Sequence, residues 1–325
     1  MHSTLLISTL LASTAVAFPG MAGIAGKRRA YTPGSPVVAR AATSSTASSS
    51  AAASSYPAWH PATDGEVRSP CPGLNTLANH DICPRSGKGY TIPILTACMA
   101  EGMNIGADFA LFVGSAGIAS NPNPLDLSFD LDMLASHDHV IEHDASLSRA
   151  DASTGNDYSF NQTIWDTVKA YYGHTSPGVA TLTEAAKAKF MRVTTEDAAD
   201  PAFSYGPVQF IFSYGESALY LSVMGNASTG DAPTAFVNSL FEDERLPYEQ
   251  GWTKPSEVIS LALLGDLAVR LNIANGEEVP EGLVVGEHSL KAALLGLDPV
   301  SGQVVNSAAQ TVAGLTGALS QLGSA

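Results

Sequence analysis

Cys71 lies between Pro70 and Pro72, directly before a short apolar segment. Because each proline fixes φ and lacks an N–H group, this cysteine cannot lie within a helix and is expected just before a helical turn. The free backbone N–H groups of that turn would point back at the sulfur and favour a thiolate over a thiol. A thiolate held in this way is either a nucleophile or the ligand of a metal ion.

The chain has three cysteines, Cys71, Cys83 and Cys98, so at least one of them is unpaired. One interpretation joins Cys83 to Cys98 in a disulfide and leaves Cys71 buried and inert. The other makes Cys71 a metal ligand, whatever the other two do, with Cys83 as a possible competitor for that role. We favour Cys71 as the ligand.

A second group of candidate residues occupies positions 140–151. On a helix, Glu142 and Ser146 would be four residues apart, and their oxygens would share one face. Hard oxygen ligands at this spacing suit Mg²⁺ or Mn²⁺ better than zinc. His143 would point elsewhere, with Asp144 next to it able to orient or acidify the imidazole.

The same segment has two other interpretations. Zinc is one, because His137, His139 and His143 cluster with Glu142. Histidines two residues apart do not share a helical face, however, and no cysteine is nearby, so zinc is the weaker interpretation. The other is a solvated acidic helix without any site, and this segment taken alone favours it.

Glu216 is a third candidate, because it falls on an otherwise apolar stripe of a predicted helix, formed by Phe212, Leu219, Tyr220 and Val223. A buried glutamate without a cation has a raised pKa, and a general acid–base that works near neutral or mildly acid pH needs one. Alternatively, Glu216 lies at the edge of the stripe and reaches water. The spacing does not decide between the two.

The elements that must position these residues are helical. Apolar residues recur at intervals of three and four, and Pro and Gly mark the joins between the periodic segments. We therefore predict an all-α fold in a single compact domain, with helices at 92–114, 163–172, 180–194, 208–224, 234–241 and 256–273.

Both ends of the chain differ from this domain. Residues 1–17 have the apolar run and the small-residue end of a signal peptide, and 18–55 form a pro-region that ends in a Ser/Ala-rich low-complexity segment. The folded domain is predicted at 56–278, followed by a C-terminal extension at 279–325. The end of this extension is uncharged and amphipathic, and we expect it to dock on the body or on a partner rather than to cross a membrane; its apolar stripe consists of Ala308, Val312, Leu315, Leu319 and Leu322.

The chain carries a formal net charge of −15. Such a protein repels nucleic acid and anionic membranes, so neither is an expected partner. The signal peptide predicts a secreted, extracellular protein. In that setting Asn161 and Asn226, each in an Asn-x-Ser/Thr sequence, are expected glycosylation sites.

Four pieces of this chain, in this order, resemble the fungal haem-thiolate peroxidases, the family of chloroperoxidase and the unspecific peroxygenases. They are Pro-Cys-Pro at 70–72 with the Leu-Asn and Leu-Ala-Asn-His that follow it, Glu-His-Asp-Ala-Ser at 142–146, Glu216, and Glu-Arg-Leu-Pro-Tyr at 244–248 with Gly251-Trp252. The likeness runs from about Ser69 to Trp252. The histidine after the first glutamate resembles the short members of the family.

The resemblance implies an all-helical fold and haem b as the cofactor, with Cys71 as the axial thiolate ligand of the haem iron. Two features depart from the family. Asp-Ile-Cys at 81–83 stands where the family more often has Gly-Tyr-Leu, and no cysteine lies near the C-terminus, so the intersubunit disulfide of some short members is not available.

The resemblance also assigns roles around the haem. Glu142, Ser146 and the backbone carbonyl of His143 would hold Mg²⁺ (or Mn²⁺) against a haem propionate. Glu216 would be the distal acid–base, with His143 beside it and Asp144 bracing the imidazole.

The function that these roles imply is a secreted peroxygenase that uses hydrogen peroxide to hydroxylate or epoxidise small organic substrates, with peroxidase side activity. One alternative is a chloroperoxidase-type haloperoxidase that oxidises halide to hypohalite. An alternative of another class is a non-enzymatic, secreted acidic protein that binds a metal or a partner. The oligomeric state is left open.

Overall fold

The fold was analysed in a computed structural model, which describes residues 57–137 and 141–305. The all-α prediction is confirmed, since these residues form nine α-helices and only one small sheet. The helices are α1 (Pro72–Asn79), α2 (Ile92–Met103), α3 (Ala107–Ser120), α4 (Gln162–Lys169), α5 (Leu182–Ala199), α6 (Pro207–Met224), α7 (Thr234–Glu242), α8 (Leu261–Asn275) and α9 (Glu287–Leu294). The sheet consists of β1 (Val179–Ala180) and β2 (Ala232–Pro233), which run antiparallel with Val179 opposite Pro233 and Ala180 opposite Ala232.

Helix α6 lies at the centre of the helical body and packs against α5, α7, α8 and α9. Thirteen of its eighteen residues are buried, as expected for a helix that is apolar on almost all sides. Gly215 allows α9 to approach closely, because a Cβ at this position would lie 2.8 Å from Leu290 Cδ1. The helix that carries Glu216 is therefore held on several sides by its neighbours.

The helix predicted at 92–114 is two helices, α2 and α3. Asn104 ends α2 in the left-handed conformation, with φ at 54°, and its side chain donates 2.9 Å hydrogen bonds to the carbonyls of Pro255 and Glu257. Ile105 then pairs with Ile259 in a β-bridge before α3 begins. The apolar spacing continues across the break because both helices bury residues in the same core.

Helix boundaries follow capping residues where the apolar spacing is uninformative. Helix α5 begins after Thr181, which forms a capping box with Glu184. Helix α8 begins only at Leu261, not at 256, because Ser260 caps it by accepting the N–H of Leu263.

Helix α9 lies in the segment predicted as a C-terminal extension. It packs against α3, α6 and α8. Gly265 in α8 lets the start of α9 come close, since a Cβ there would meet Glu287 N at 2.3 Å. The amphipathic stripe at 308–322, the signal peptide and the pro-region fall outside the described residues, so those assignments stay predictions. No helix in the described ranges has the length and apolar character needed to cross a membrane.

Candidate active site

Cys71 is the N-cap residue of α1, and Pro72 occupies the first helical position. The cysteine therefore stands directly before a helix, as its two flanking prolines predict. The sulfur is half-buried, and the N–H groups of Leu74 and Gly73 are directed at it. Burial nevertheless raises the pKa of the Cys71 thiol, although these N–H groups act in the opposite direction. The N–H groups therefore act in the predicted direction, but burial outweighs them.

The other two cysteines form a disulfide, Cys83–Cys98, which links the end of the α1 loop to α2. All three cysteines lie in the described residues, and Cys71 is the free one. This pairing removes Cys83 as a competing ligand. It also shows that Cys71 alone can offer a thiol to a ligand or substrate.

Cys71 opens into a large cavity with mostly apolar walls, which encloses about 1360 Å³ of space, including its mouth. The apolar walls come from α1, α2, α3, α6, α7 and α9, for example Leu77, Met99, Phe109, Phe212, Phe241 and Leu290. The cavity brings the sequence-predicted candidates together, since its lining also contains Glu142, His143, Ser146 and Glu216.

His143 and Glu216 form a charge pair in this cavity. His143 Nε2 lies 3.5 Å from Glu216 Oε2, and His143 Nδ1 donates to the backbone carbonyl of Asp144 at 2.7 Å. Burial alone would lower the pKa of His143, but the charge of Glu216 and the carbonyl of Asp144 raise it to about 9. The raised pKa favours the charged imidazole, whose Nε2 faces the carboxylate as an ion pair without forming a hydrogen bond.

Glu216 is less buried than its place on an apolar stripe suggests. Its side chain is 52% exposed, whereas the His143 side chain is only 5% exposed. The alternative of a glutamate at the edge of the stripe thus describes it better. The carboxylate lies in the cavity and is accessible to small molecules that enter there.

Asp144 braces His143 through its backbone and not through its carboxylate, which corrects the predicted role. The side-chain Oδ2 accepts the N–H of Ser204 at 2.9 Å instead. The reason is a tight bend, in which Ala145 adopts a left-handed conformation with φ at 64°. This bend turns the Asp144 carbonyl towards the imidazole.

The helix assumed for Glu142 and Ser146 is absent, because residues 142–146 form a loop with a bend at 144–145. Both side chains still line the cavity. Glu142 is buried, and its Oε2 lies 2.6 Å from His137 Nδ1. Burial raises the pKa of Glu142 to about 7, although His137 counteracts this. The Ser146 hydroxyl oxygen accepts the N–H groups of Ser148 and Arg149.

The zinc interpretation needs His137, His139 and His143 together, and the described residues do not show such a cluster. His143 is directed at Glu216, and His139 lies outside the described residues. His137, Glu142 and Asp157 do approach one another, with one ligand atom from each within 4.8 Å of the others. Two carboxylates and one imidazole form a mainly oxygen set, which is consistent with a hard cation.

Sequence analysis missed a buried network behind Cys71. Arg149 is buried and forms a 3.0 Å ion pair with Glu244, which also accepts a 2.7 Å hydrogen bond from Asn75 in α1. The positive charge of Arg149 acts to lower the pKa of Cys71. Glu244 was noted in a family-like segment without a role. Its partners are 95 and 169 residues away in the chain, so no local spacing could have indicated them.

Comparison with known proteins identifies the family. The family model described as "Peroxidase, family 2" matches residues 57–257. An aromatic peroxygenase of Cyclocybe aegerita is 29% identical over 269 residues, covering 73% of this chain and 71% of the relative. An aromatic peroxygenase of Coprinellus radians is 28% identical over 209 residues, covering 58% and 80%. A dothistromin biosynthesis peroxidase of Dothistroma septosporum is 29% identical over 178 residues, covering 49% and 42%.

These relatives are named for peroxygenase or peroxidase activity, which favours oxygen transfer over halide oxidation and makes a non-enzymatic role wrong. The family implies a haem cofactor, and the free thiol at the edge of a large apolar cavity suits one. With its model match and its cavity of thiol, imidazole and carboxylate, this chain belongs to peroxidase family 2 and is an oxidoreductase that acts on peroxide.

Proposed function

We propose that this protein is a secreted haem-thiolate peroxygenase that uses hydrogen peroxide to transfer oxygen to small organic substrates. One observation carries the proposal. The single free thiol among the described cysteines, Cys71, lines the same apolar cavity as the His143–Glu216 pair. A metal ligand and an acid–base pair therefore line the same cavity.

The residues present fit a haem. Cys71 offers a sulfur at the cavity wall with backbone N–H groups directed at it, and the surrounding walls are apolar enough to cover a flat hydrophobic ring. When bound, a thiolate-ligated haem would allow peroxide to oxidise organic molecules at this site. Arg149, whose charge acts on Cys71, would stabilise the negative charge of the ligand.

The proton chemistry belongs to Glu216. Its Oε2 would accept a proton from hydrogen peroxide and return it to the oxygen that leaves as water. His143 Nε2, 3.5 Å away, would hold the carboxylate in position through charge. The carbonyl of Asp144 fixes the imidazole ring by accepting from Nδ1. This arrangement keeps the proton acceptor at a constant place in the cavity.

The side chains that line the cavity favour small apolar molecules as substrates. Phe109, Phe212 and Phe241 are among the side chains that line the cavity. Such walls exclude water and favour binding of aromatic or aliphatic molecules. Two relatives are named aromatic peroxygenases, which supports aromatic molecules as members of the substrate class.

We further propose that Glu142 and Ser146, with the carbonyl of His143, hold Mg²⁺ or Mn²⁺. Glu142 is a buried carboxylate at the cavity wall, and a divalent cation there would stabilise its charged form. Glu142→Ala is expected to lower the haem content of the purified protein, measured by pyridine haemochrome. Unchanged haem content, equal to that of the exposed control Glu101→Gln, would argue against this site.

Secretion and glycosylation complete the proposal. Asn226 is exposed, and Asn161 is half-buried at the cap of α4. We expect protein collected from culture medium to begin after the leader and to lose mass when N-glycans are removed enzymatically. Protein that stays in the cells with an intact N-terminus would contradict secretion.

The decisive test is the absorption spectrum of the purified protein, first ferric and then reduced under carbon monoxide. A strongly red-shifted Soret band of the carbonyl complex is expected for cysteine-thiolate ligation, and an ordinary carbonyl band would refute Cys71 as the ligand. Oxygen transfer is then tested with ¹⁸O-labelled peroxide. Label in a hydroxylated or epoxidised product supports a peroxygenase, whereas chloride-dependent chlorination without labelled product would indicate a haloperoxidase.

A further inference from the structure

A second oxygen-rich cluster lies outside the cavity lining. Asp144, Asp151 and Asp200 each place one carboxylate oxygen within 4.8 Å of the other two. Asp144 and Asp151 are both 2% exposed, and Asp200 is half-buried. The residues assigned above to Mg²⁺ or Mn²⁺ are different ones. The function proposed above does not depend on this cluster.

Each of the two buried carboxylates has one oxygen without a hydrogen-bond partner. Asp144 Oδ2 accepts the N–H of Ser204 and Asp151 Oδ1 accepts the N–H of Ala145, at 2.9 and 3.0 Å. The remaining oxygens, Asp144 Oδ1 and Asp151 Oδ2, are buried and unpaired. A buried carboxylate oxygen without a partner is costly, so such atoms indicate a missing ligand.

The nearby cations do not supply that partner. His137 Nε2 lies 3.8 Å from Asp144 Oδ1, beyond hydrogen-bond distance, and its Nδ1 is already bound to Glu142. Arg192 forms an ion pair with Glu196 and donates through Nε to the carbonyl of Ser146. Its charge acts on Asp151, but its Nη2 makes no hydrogen bond to either oxygen. His137 thus makes only a long ion pair with Asp144, and both oxygens of Asp200 accept hydrogen bonds, from Ser153 and Ala202. The oxygens without a hydrogen-bond partner are those of Asp144 and Asp151.

We propose that Asp144, Asp151 and Asp200 bind one Ca²⁺ ion. Calcium binds oxygen ligands at about 2.3–2.6 Å, so carboxylate oxygens that lie within 4.8 Å of one another are close enough to share one ion. Calcium also accepts irregular geometry, and backbone carbonyls or water can complete its six to eight ligands.

The proposed ion joins three parts of the chain. Asp144 follows the site residue His143, Asp151 precedes the 3₁₀ turn at Ala152–Thr154, and Asp200 caps the C-terminus of α5. Bound Ca²⁺ would therefore hold the 142–146 segment against α5. The ion would thus keep the Asp144 carbonyl, which accepts from His143 Nδ1, in place. It would take no part in the chemistry itself.

The test measures metal content and thermal stability of the complete haem-loaded protein. The protein is dialysed against EGTA in 1 mM Mg²⁺, which keeps the Glu142 region supplied, and is then titrated with Ca²⁺. We expect about one Ca²⁺ per chain by elemental mass spectrometry. We also expect Tm to rise by about 5–10 °C at 100-fold excess over the dissociation constant.

Matched variants assign the ion to this cluster. Asp200→Asn should lose both the bound Ca²⁺ and the Tm shift, whereas Asp197→Asn, which removes the same charge at an exposed position of α5, should keep both. Glu142→Gln, whose haem content is expected to fall, should still bind one Ca²⁺ per chain. Asp151→Asn serves as a second variant if Asp200→Asn does not fold. Wild type without Ca²⁺ or a Tm shift overturns the proposal, as does loss of Ca²⁺ in Glu142→Gln but not in Asp200→Asn.

Discussion

Glu216→Gln removes the proposed proton acceptor while changing little else. The amide is nearly isosteric with the carboxylate and can occupy the same half-exposed position in the cavity. It cannot take up a proton at physiological pH, and it has no charge to attract the His143 imidazolium 3.5 Å away. The variant therefore tests the acid–base role without opening a cavity in the core.

A positioned acid–base group typically contributes a factor of about 10²–10⁴ to the rate. We therefore expect Glu216→Gln to lower peroxide-dependent kcat/KM by this factor, which corresponds to about 3–5 kcal/mol of activation free energy. The haem content and the reduced carbonyl spectrum should be unchanged, because Cys71 and its N–H donors lie on α1 and not on α6.

The assay follows steady-state oxidation of one aromatic substrate at saturating and limiting peroxide. Glu101→Gln is the matched control, since it makes the same chemical change at an exposed position of α2 and should retain wild-type rates. Turnover by Glu216→Gln within threefold of the control, at equal haem content, would refute the proton-transfer role. A loss of haem in this variant would instead assign Glu216 to cofactor binding.

Three further predictions concern ligation and stability. Cys71→Ala should abolish the red-shifted carbonyl band, and an unchanged band would place the iron ligand elsewhere. Replacing Cys83 and Cys98 together by alanine should lower the free energy of unfolding by about 3 kcal/mol, since the disulfide closes a loop of 15 residues; equal urea midpoints would contradict this. Burial alone would raise the pKa of Glu184, but hydrogen bonds from Thr175 and Thr181 lower it from 4.5 to about 2. The folded state therefore gains about 3 kcal/mol from this carboxylate above about pH 4.5, and this gain disappears as the pH falls through about 2. The stability difference between wild type and Glu184→Gln should shrink over that range in denaturant titrations, and a difference that does not vary with pH would argue against it.

The sequence predicted those helices whose boundaries have local causes. Helix α5 has its capping box at Thr181 and Glu184, and α6 has a proline at its first position, so both ranges were predicted within a few residues. The break at Asn104 was missed because its cause is long-range. The left-handed residue is held by carbonyls about 150 residues away, and the apolar periodicity is not interrupted.

The candidate site also contains residues that the sequence could place from local causes and residues that it could not. Cys71 could be placed from sequence because its two prolines restrict the adjacent backbone. The 142–146 segment could not, because Ala145 is held in its left-handed turn by Asp151 and Asp144 is anchored by Ser204. Residue types in this segment were informative even though the assumed helix was wrong.

The raised pKa of the Cys71 thiol favours metal binding over nucleophilic attack. A nucleophilic cysteine must be a thiolate before it meets its substrate, and burial at this position opposes that state. A cysteine that binds a metal ion is deprotonated by the ion itself, so burial is no obstacle. The N–H groups of Gly73 and Leu74 and the charge of Arg149 then stabilise the bound thiolate. The same surroundings that make Cys71 a poor nucleophile therefore make it a suitable ligand for haem iron.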